Sequence, residues 1–389
     1  MLALALFACD TVNVPSAEPT AVLPSEPSRP GPTASPTTTP TPADPPVISC
    51  AGRGPAATLV AYHDAGDLWL YDETADTSRR LTADAGARYE HEPEFLTGRC
   101  VVYASSEPST IQLLDLSTGA SRTIVEDIGW ITSLDASPDG TSILYLHIDH
   151  DVDSTYRLKG VGMEAGTPKI LHTFHPNIGR GAGSEDEVSV AWAPDGSAIL
   201  VANTHAYSEE FPLGAIYLFD ATGRDIRGRW TGTHPRWSPD GRTIYFRGYA
   251  GQNGQRWSAL DVRTMQSTQL VGIRPGTNRL VVSPDGRRLA YDTSHFGDQP
   301  LEARTTDEAP DVYVYDLATG TQSVLKRGAL EPLWISDREV LATNARERGR
   351  RSLNSWESLG TVTRFSLGGN SSPAGMTSTL FESAVYIGK

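Results

Sequence analysis

Side chains able to bind or transfer something fall into two groups in this chain. One is an acidic run, Asp149, Asp151 and Asp153, with His147 and His150 beside it. Alternating carboxylates supply hard oxygen ligands suited to Ca²⁺. A helix–loop–helix Ca²⁺ site needs Gly at its sixth place and Glu at its twelfth, and here those places hold Ser154 and Gly160. The run is therefore not that motif, and a solvated acidic turn is the alternative. The other group precedes a recurrent proline or occupies the matching place: His91, Glu92, Ser133, Ser189, His234, Arg279 and Glu331. Imidazole, carboxylate, guanidinium and hydroxyl groups in one ring can hold a small polar ligand, a peptide end or a cation. A merely water-filled polar channel is the alternative. His172 and His175 have no third ligand near them and read as surface or packing residues. Gly160-Val161-Gly162 and the run from Gly179 to Gly183 open no helix and precede no Gly-Lys-Ser/Thr, so both read as loops rather than phosphate cradles.

The elements that must position these residues are written in a repeat. Pro-Asp-Gly occurs four times, at Pro138, Pro194, Pro239 and Pro284. Pro presets the turn, Asp bonds the nearby backbone, and Gly takes the left-handed closing conformation. Short apolar runs follow: Ile143-Leu144-Tyr145, Ile199-Leu200-Val201, Ile244-Tyr245-Phe246 and Leu289-Ala290-Tyr291. Each unit reads as a β-hairpin. Two worn copies, around Pro93 and Pro332, each lack one turn residue. From Gly98 to Arg338 is 240 residues over five steps, or 48 per step. Apolar hairpins begin near Leu59, Cys100, Ile143, Ile199, Ile244, Leu289 and Val340, which makes seven. A four-stranded propeller blade has a period of roughly 40–50 residues. The expected fold is all-β, a single propeller of seven blades, with six longer blades as the alternative count. The first hairpin has no inner strand before it, so Ala384 to Ile387 is expected to complete that blade and close the ring. By this register the polar residues before the prolines start the innermost strands and rim the central channel. Long hairpin loops at 203–213, 293–310 and 344–360 project from one face, where recognition is usually found.

The chain carries 33 basic and 47 acidic residues, a formal net charge of −14. Such a surface repels phosphate backbones, so nucleic-acid binding is not expected. Residues 1–9 form a short apolar segment ending in Leu6-Phe7-Ala8-Cys9. This resembles a bacterial lipobox, which implies lipidation at Cys9. Phe7 and the lack of a preceding Lys or Arg depart from the pattern and imply a start further upstream. Residues 10–48 hold eleven of the 27 prolines. They are expected to be a disordered leash that reaches about 120 Å at ~3.1 Å per residue. Residues 49–389 form the folded head. In an oxidising exterior the remaining Cys50 and Cys100 often pair; one buried and one exposed free thiol is the alternative.

The run Trp237-Ser238-Pro239-Asp240-Gly241-Arg242-Thr243-Ile244-Tyr245-Phe246 is similar to the consensus of TolB-like, WD-repeat-like propeller repeats. The copies cover about residues 57–345. The resemblance implies a propeller platform used by periplasmic interaction proteins and by some serine peptidases. The peptidase option is set aside, because no Gly-x-Ser-x-Gly elbow is present. No nucleophile–base set is evident, and no cofactor is expected beyond a Ca²⁺ ion on the acidic run. The leading expectation is a non-catalytic, monomeric, lipid-anchored scaffold of the cell envelope that recognises a protein, peptide or glycan. An extracellular enzyme acting on a glycan or lactone in the channel is the alternative, and a sensor reporting to a membrane partner is a third.

Overall fold

The computed structural model describes Ile48, Cys50 and residues 59–64, 67–72, 75–82, 90–97, 99–106, 109–127, 129–148, 155–164, 166–174, 188–203, 214–249, 255–274, 277, 279–293, 310–347, 356–373 and 380–386. Cys9, residues 10–47, the acidic run Asp149, Asp151 and Asp153, and His150 and His175 lie outside this set. So does most of the loops at 203–213 and 293–310. For His91 and Glu92 only the backbone is described.

Every described element is a β-strand. The chain opens with β1 (Leu59–Asp64), β2 (Asp67–Asp72) and β3 (Thr77–Arg80). Next come β4 (Glu90–Thr97), β5 (Cys100–Ser106), β6 (Ser109–Asp115) and β7 (Ser121–Glu126). A third group is β8 (Trp130–Ala136), β9 (Ser142–Ile148), β10 (Tyr156–Gly162) and β11 (Lys169–Phe174). After β12 (Val188–Trp192), β13 (Ala198–Asn203) and β14 (Ala215–Asp220) comes the long β15 (Ile226–Trp237). It leads to β16 (Thr243–Tyr249), β17 (Gln255–Asp261) and β18 (Gln266–Gln269). Then follow β19 (Leu280–Val282), β20 (Arg288–Asp292), β21 (Asp311–Asp316) and β22 (Thr321–Arg327). The last group is β23 (Ala329–Ser336), β24 (Glu339–Glu347), β25 (Trp356–Ser366) and β26 (Ser371–Pro373), followed by β27 (Leu380–Tyr386).

These strands form antiparallel sheets in sequence order, five of four strands and one of seven. The larger sheet arises because β15 changes partner partway. Its residues 226–231 pair with β14, and 232–237 pair with β16. At the other extreme of the chain, β27 pairs with β1, placing Tyr386 opposite Val60 and Val385 opposite Ala61. That strand begins at Leu380, four residues earlier than the apolar pattern suggests. First strands of successive groups touch: β4 with β8, β8 with β12, β15 with β19, β19 with β23, β23 with β27, and β27 with β4. Apolar clusters fill the seams between sheets. One joins Val102, Ile111 and Leu113 to Ile143, Tyr145 and Val161; another joins Tyr245 and Trp257 to Leu289, Tyr291 and Tyr313.

The repeated turn has a repeated internal wiring. Gly140, Gly196, Gly241 and Gly286 sit at φ of 67°, 72°, 69° and 68°, which only glycine adopts without cost. In three copies the Ser before the proline donates to the Asp side chain at 2.6 Å: Ser137 to Asp139, Ser238 to Asp240 and Ser283 to Asp285. The same hydroxyls accept from the amides of Ser142, Thr243 and Arg288. In the fourth copy Ala193 takes the Ser place, and Asp195 keeps the bond common to all four copies, accepting from the amide two residues on, Ser197, at 2.9 Å.

Two loop expectations are corrected. Gly160 and Gly162 lie within β10, paired with Leu144 and Ser142, because Val161 between them fills the core. Within the span 344–360, the described residues 344–347 and 356–360 are strand rather than loop, with Arg346 opposite Glu357 and Glu347 opposite Trp356. Cys50 and Cys100 form a disulfide with a Cα–Cα distance of 5.5 Å, and Ile48 and Cys50 pack against the cluster around Val102 and Tyr145.

Candidate functional site

In each four-stranded group the turn between first and second strands lies at one end. The start of the first strand and the connection between second and third strands lie at the other. At that second end, prolines interrupt the ladder. Pro cannot donate to a neighbouring strand, so the strand carrying it bulges. The register shifts between His91 and Glu94 in β4, between Thr233 and Arg236 in β15, and between Leu330 and Leu333 in β23. Each interval contains an x-Pro pair: Glu92-Pro93, His234-Pro235 and Glu331-Pro332. His234 has φ 53° and Glu331 has φ 55°. A left-handed conformation at a non-glycine residue costs about 1–3 kcal/mol and persists only where the surroundings enforce it.

The surroundings are charged. Arg247 pairs in register with Thr233, beside His234, and its Nη1 donates to the Thr277 carbonyl at 3.2 Å. Asp292, at the end of β20, is only 1% exposed. Its Oδ2 accepts from the Glu331 amide at 2.9 Å, and its own amide donates to the Arg279 carbonyl at 3.2 Å. Thr343 donates through its hydroxyl to Glu331 Oε2 at 3.1 Å. Asp292 thereby ties the backbone of Arg279 to that of Glu331, while β19 touches both β15 and β23. One end of three neighbouring first strands therefore carries an imidazole, a guanidinium and a carboxylate. That set can exchange a proton, clamp an anion and accept a hydroxyl.

The remaining expected rim residues sit differently. Ser133 is 2% exposed and its hydroxyl accepts from the Val190 amide of β12 at 3.2 Å, so it stitches two sheets together. Ser189 pairs with Ala202 on a regular strand without a bulge. Arg279, just before β19, is half-buried. His172 stacks edge-on against Phe174 and Phe219, with ring centroids 4.7 and 5.0 Å away, as a packing residue does. His147 lies against Asp127, with Nε2 3.5 Å from Oδ1. Among the described residues no group of three His, Cys, Asp or Glu side chains gathers as a metal site.

Sequence reading passed over Arg247, Asp292 and Thr343. A signal for the first two was present. Both stand eight residues after the repeat proline, where the other two copies carry Leu146 and Ala202. A charge at an apolar place in two consecutive repeats marks a departure from pure scaffolding.

No protein-family model and no curated protein matches the chain. Solved structures do. An oligogalacturonate lyase in complex with manganese is 17% identical, covers 72% of this chain and 79% of its own, and superposes with a TM-score of 0.54. The Swd1 β-propeller domain of Myceliophteria thermophila is 14% identical over 76% of this chain and 93% of its own, with a TM-score of 0.50. The fold is that of a β-propeller. TolB from Acinetobacter baumannii also aligns, at 15% identity, 85% and 66% coverage and a TM-score of 0.45. These likenesses overturn one expectation. A non-catalytic scaffold was expected because the repeats carry no nucleophile–base set, yet the matched folds include an enzyme acting on a glycan. The repeat itself is blind to chemistry, because it records turns and strands that enzymes and binding proteins share. The manganese of that lyase finds no ligand set of three His, Cys, Asp or Glu side chains among the described residues here.

Proposed function

We propose that this chain is an extracytoplasmic enzyme that cleaves an acidic glycan by β-elimination at the bulged ends of its inner strands. The observation that carries the reading is the pair of left-handed x-Pro residues, His234 and Glu331, on strands either side of Arg279. The fold shared with an oligogalacturonate lyase supports the substrate class. In a uronate the proton on C5 becomes more acidic when a cation pairs with the adjacent carboxylate. Arg279 is assigned that carboxylate, since a guanidinium binds it in two-pronged fashion. His234 takes the C5 proton. The electron pair forms the C4–C5 double bond, the C4–O bond to the departing sugar breaks, and a proton passes to that oxygen. Glu331, steadied by Thr343, accepts a sugar hydroxyl.

The test is incubation of the full chain with uronate oligomers, neutral glycans and lactones, followed by ultraviolet absorbance of the new conjugated double bond. Uronates should produce it and the others should not. Turnover of no uronate contradicts the reading.

We propose further that the ring has seven blades and is closed by β27. The two halves of β15 divide the seven-stranded sheet into two groups of four. Arg364 of the last group donates to the Tyr71 hydroxyl of the first at 3.4 Å, across 293 residues of sequence. Removing residues 380–389 should lower the melting temperature by several degrees, and an unchanged value contradicts closure. The same reading assigns lipidation to Cys9 and a leash role to residues 10–48, and the Cys50–Cys100 disulfide suits an oxidising exterior. Loss of fatty-acid labelling in Cys9→Ser is the expected outcome; retained labelling contradicts it.

A further inference from the structure

Three polar side chains stand in one row across β15, β16 and β17. Thr233 is paired with Arg247, and Arg247 with Trp257. Directly opposite residues share one face of a sheet. Tyr245 and Trp257 set that face against the next sheet, among Leu280, Leu289, Tyr291 and Tyr313. Thr233 is 6% exposed and Trp257 is 3% exposed. Neither the Thr233 hydroxyl nor the Trp257 indole N–H meets a hydrogen-bond partner among the described residues. An indole N–H can only donate, and a hydroxyl can donate too. Buried donors are nearly always satisfied, so two of them in one row call for an acceptor.

Acceptors on the facing side are engaged elsewhere. The Thr277 carbonyl accepts from Arg247 Nη1 at 3.2 Å, and the Arg274 carbonyl accepts from the Thr277 hydroxyl at 2.7 Å. The Tyr313 hydroxyl accepts from Arg274 Nη1 at 2.6 Å. Asp311, two residues before Tyr313 on β21, is held by Arg327 and by the Gly328 amide. Cations, by contrast, are at hand: Arg247 stands in the row itself, and Arg274 lies over the Tyr313 ring, 5.3 Å from its centroid.

We propose that this row binds one small anion, of halide size, on Trp257 Nε1 and Thr233 Oγ1 beside the Arg247 guanidinium. The burial of both donors limits the occupant's size and excludes a sugar. A water molecule brings two O–H groups that need acceptors of their own, whereas an anion brings none and is attracted by the guanidinium. The site lies outside the glycan reading and does not depend on it. Thr233 immediately precedes His234, and Arg247 holds the backbone of Thr277, two residues before Arg279. The anion therefore steadies two approaches to the bulged end.

Thr132, six residues before its repeat proline as Thr233 is before Pro239, is an internal control. Its hydroxyl is 5% exposed and also unmatched among the described residues. The paired residues alongside, Leu146 and Leu158, supply neither a second donor nor a charge.

Two measurements on the full chain test the site. In the first, the melting temperature is followed as chloride replaces methanesulfonate at constant ionic strength. It should rise by a few degrees and saturate, because a ligand of the folded state alone stabilises it. Trp257→Phe, which keeps an aromatic ring and removes the donor, should abolish the rise, and Thr233→Val should weaken it. Thr132→Val should leave it intact. In the second, crystals of the wild-type chain soaked in bromide should show anomalous signal within hydrogen-bonding reach of Trp257 Nε1 and Thr233 Oγ1. A flat wild-type titration, an equal rise in Trp257→Phe, or a map without bromide in the row overturns the proposal. Bromide in the row with a flat titration is an adventitious ion only and overturns it too. The two wild-type measurements decide the matter if a variant fails to fold.

Discussion

The two ends of the inner strands follow opposite rules. At one end Pro-Asp-Gly recurs four times, three times after Ser, the glycines share nearly one φ, and three Ser–Asp bonds have one length. At the other end proline breaks the ladder, and the residue before it is not of one type: Glu92, His234 and Glu331. The first end satisfies its backbone locally and adds stability. The second retains strain at His234 and Glu331 and gathers charge around it. In a repeat fold, sameness marks what holds the blades, and difference marks where chemistry is to be sought.

Substitutions should separate these ends. The largest effect is expected for His234→Gln: uronate cleavage falls about 10²- to 10⁴-fold, the usual contribution of a positioned proton acceptor. The melting temperature should barely move. A variant with full activity would reassign the base. Next is Asp292→Ala, which removes the buried acceptor of the Glu331 amide. A loss of about 1–3 kcal/mol in denaturant unfolding is expected, with weakened turnover because Glu331 and Arg279 lose their common tie.

At the turn end, effects should be smaller and confined to stability. Ser238→Ala should cost about 1 kcal/mol without altering turnover. Ala193→Ser should gain up to about 1 kcal/mol by restoring the wiring of the other three copies. If Ser238→Ala changes activity as much as stability, the division between the ends fails.

Acid adds a further distinction. The Asp139 and Asp240 carboxyls lie below their ordinary range, chiefly because Ser137 and Ser238 donate to them. Asp115 lies lower still, through its bond from Arg99, with Ser117 also donating. A carboxyl depressed by folding contributes stability that is present above its ordinary value of 3.8 and is lost as pH falls through the folded value. Unfolding measured from pH 5 down to about pH 2 should show this loss. Arg99→Ala should reduce its steepness.

Much of the fold was legible because turn chemistry is local. Pro-Asp-Gly names its own backbone angles, so hairpins, period and worn copies could be read from residue types alone. The pairing of β27 with β1 followed from a hairpin lacking its inner strand. The bulges were less legible. The prolines at 93, 235 and 332 were visible, but whether the residue before each one faces a lumen, a neighbouring sheet or a carboxylate depends on register. That is why Ser133, aligned with His234 by spacing, proves to be a stitch between sheets. Asp127, Lys159 and His147 were invisible as a group, because the connection after β7 meets β9 and β10 only in the folded chain.

The most direct test of the central claim is a crystal structure of the His234→Gln chain soaked with a uronate oligomer. The account predicts a sugar carboxylate within hydrogen-bonding distance of Arg279 and a sugar hydroxyl on Glu331, at the bulged end of the inner strands. A sugar seated elsewhere, or an empty site at saturating oligomer, contradicts it.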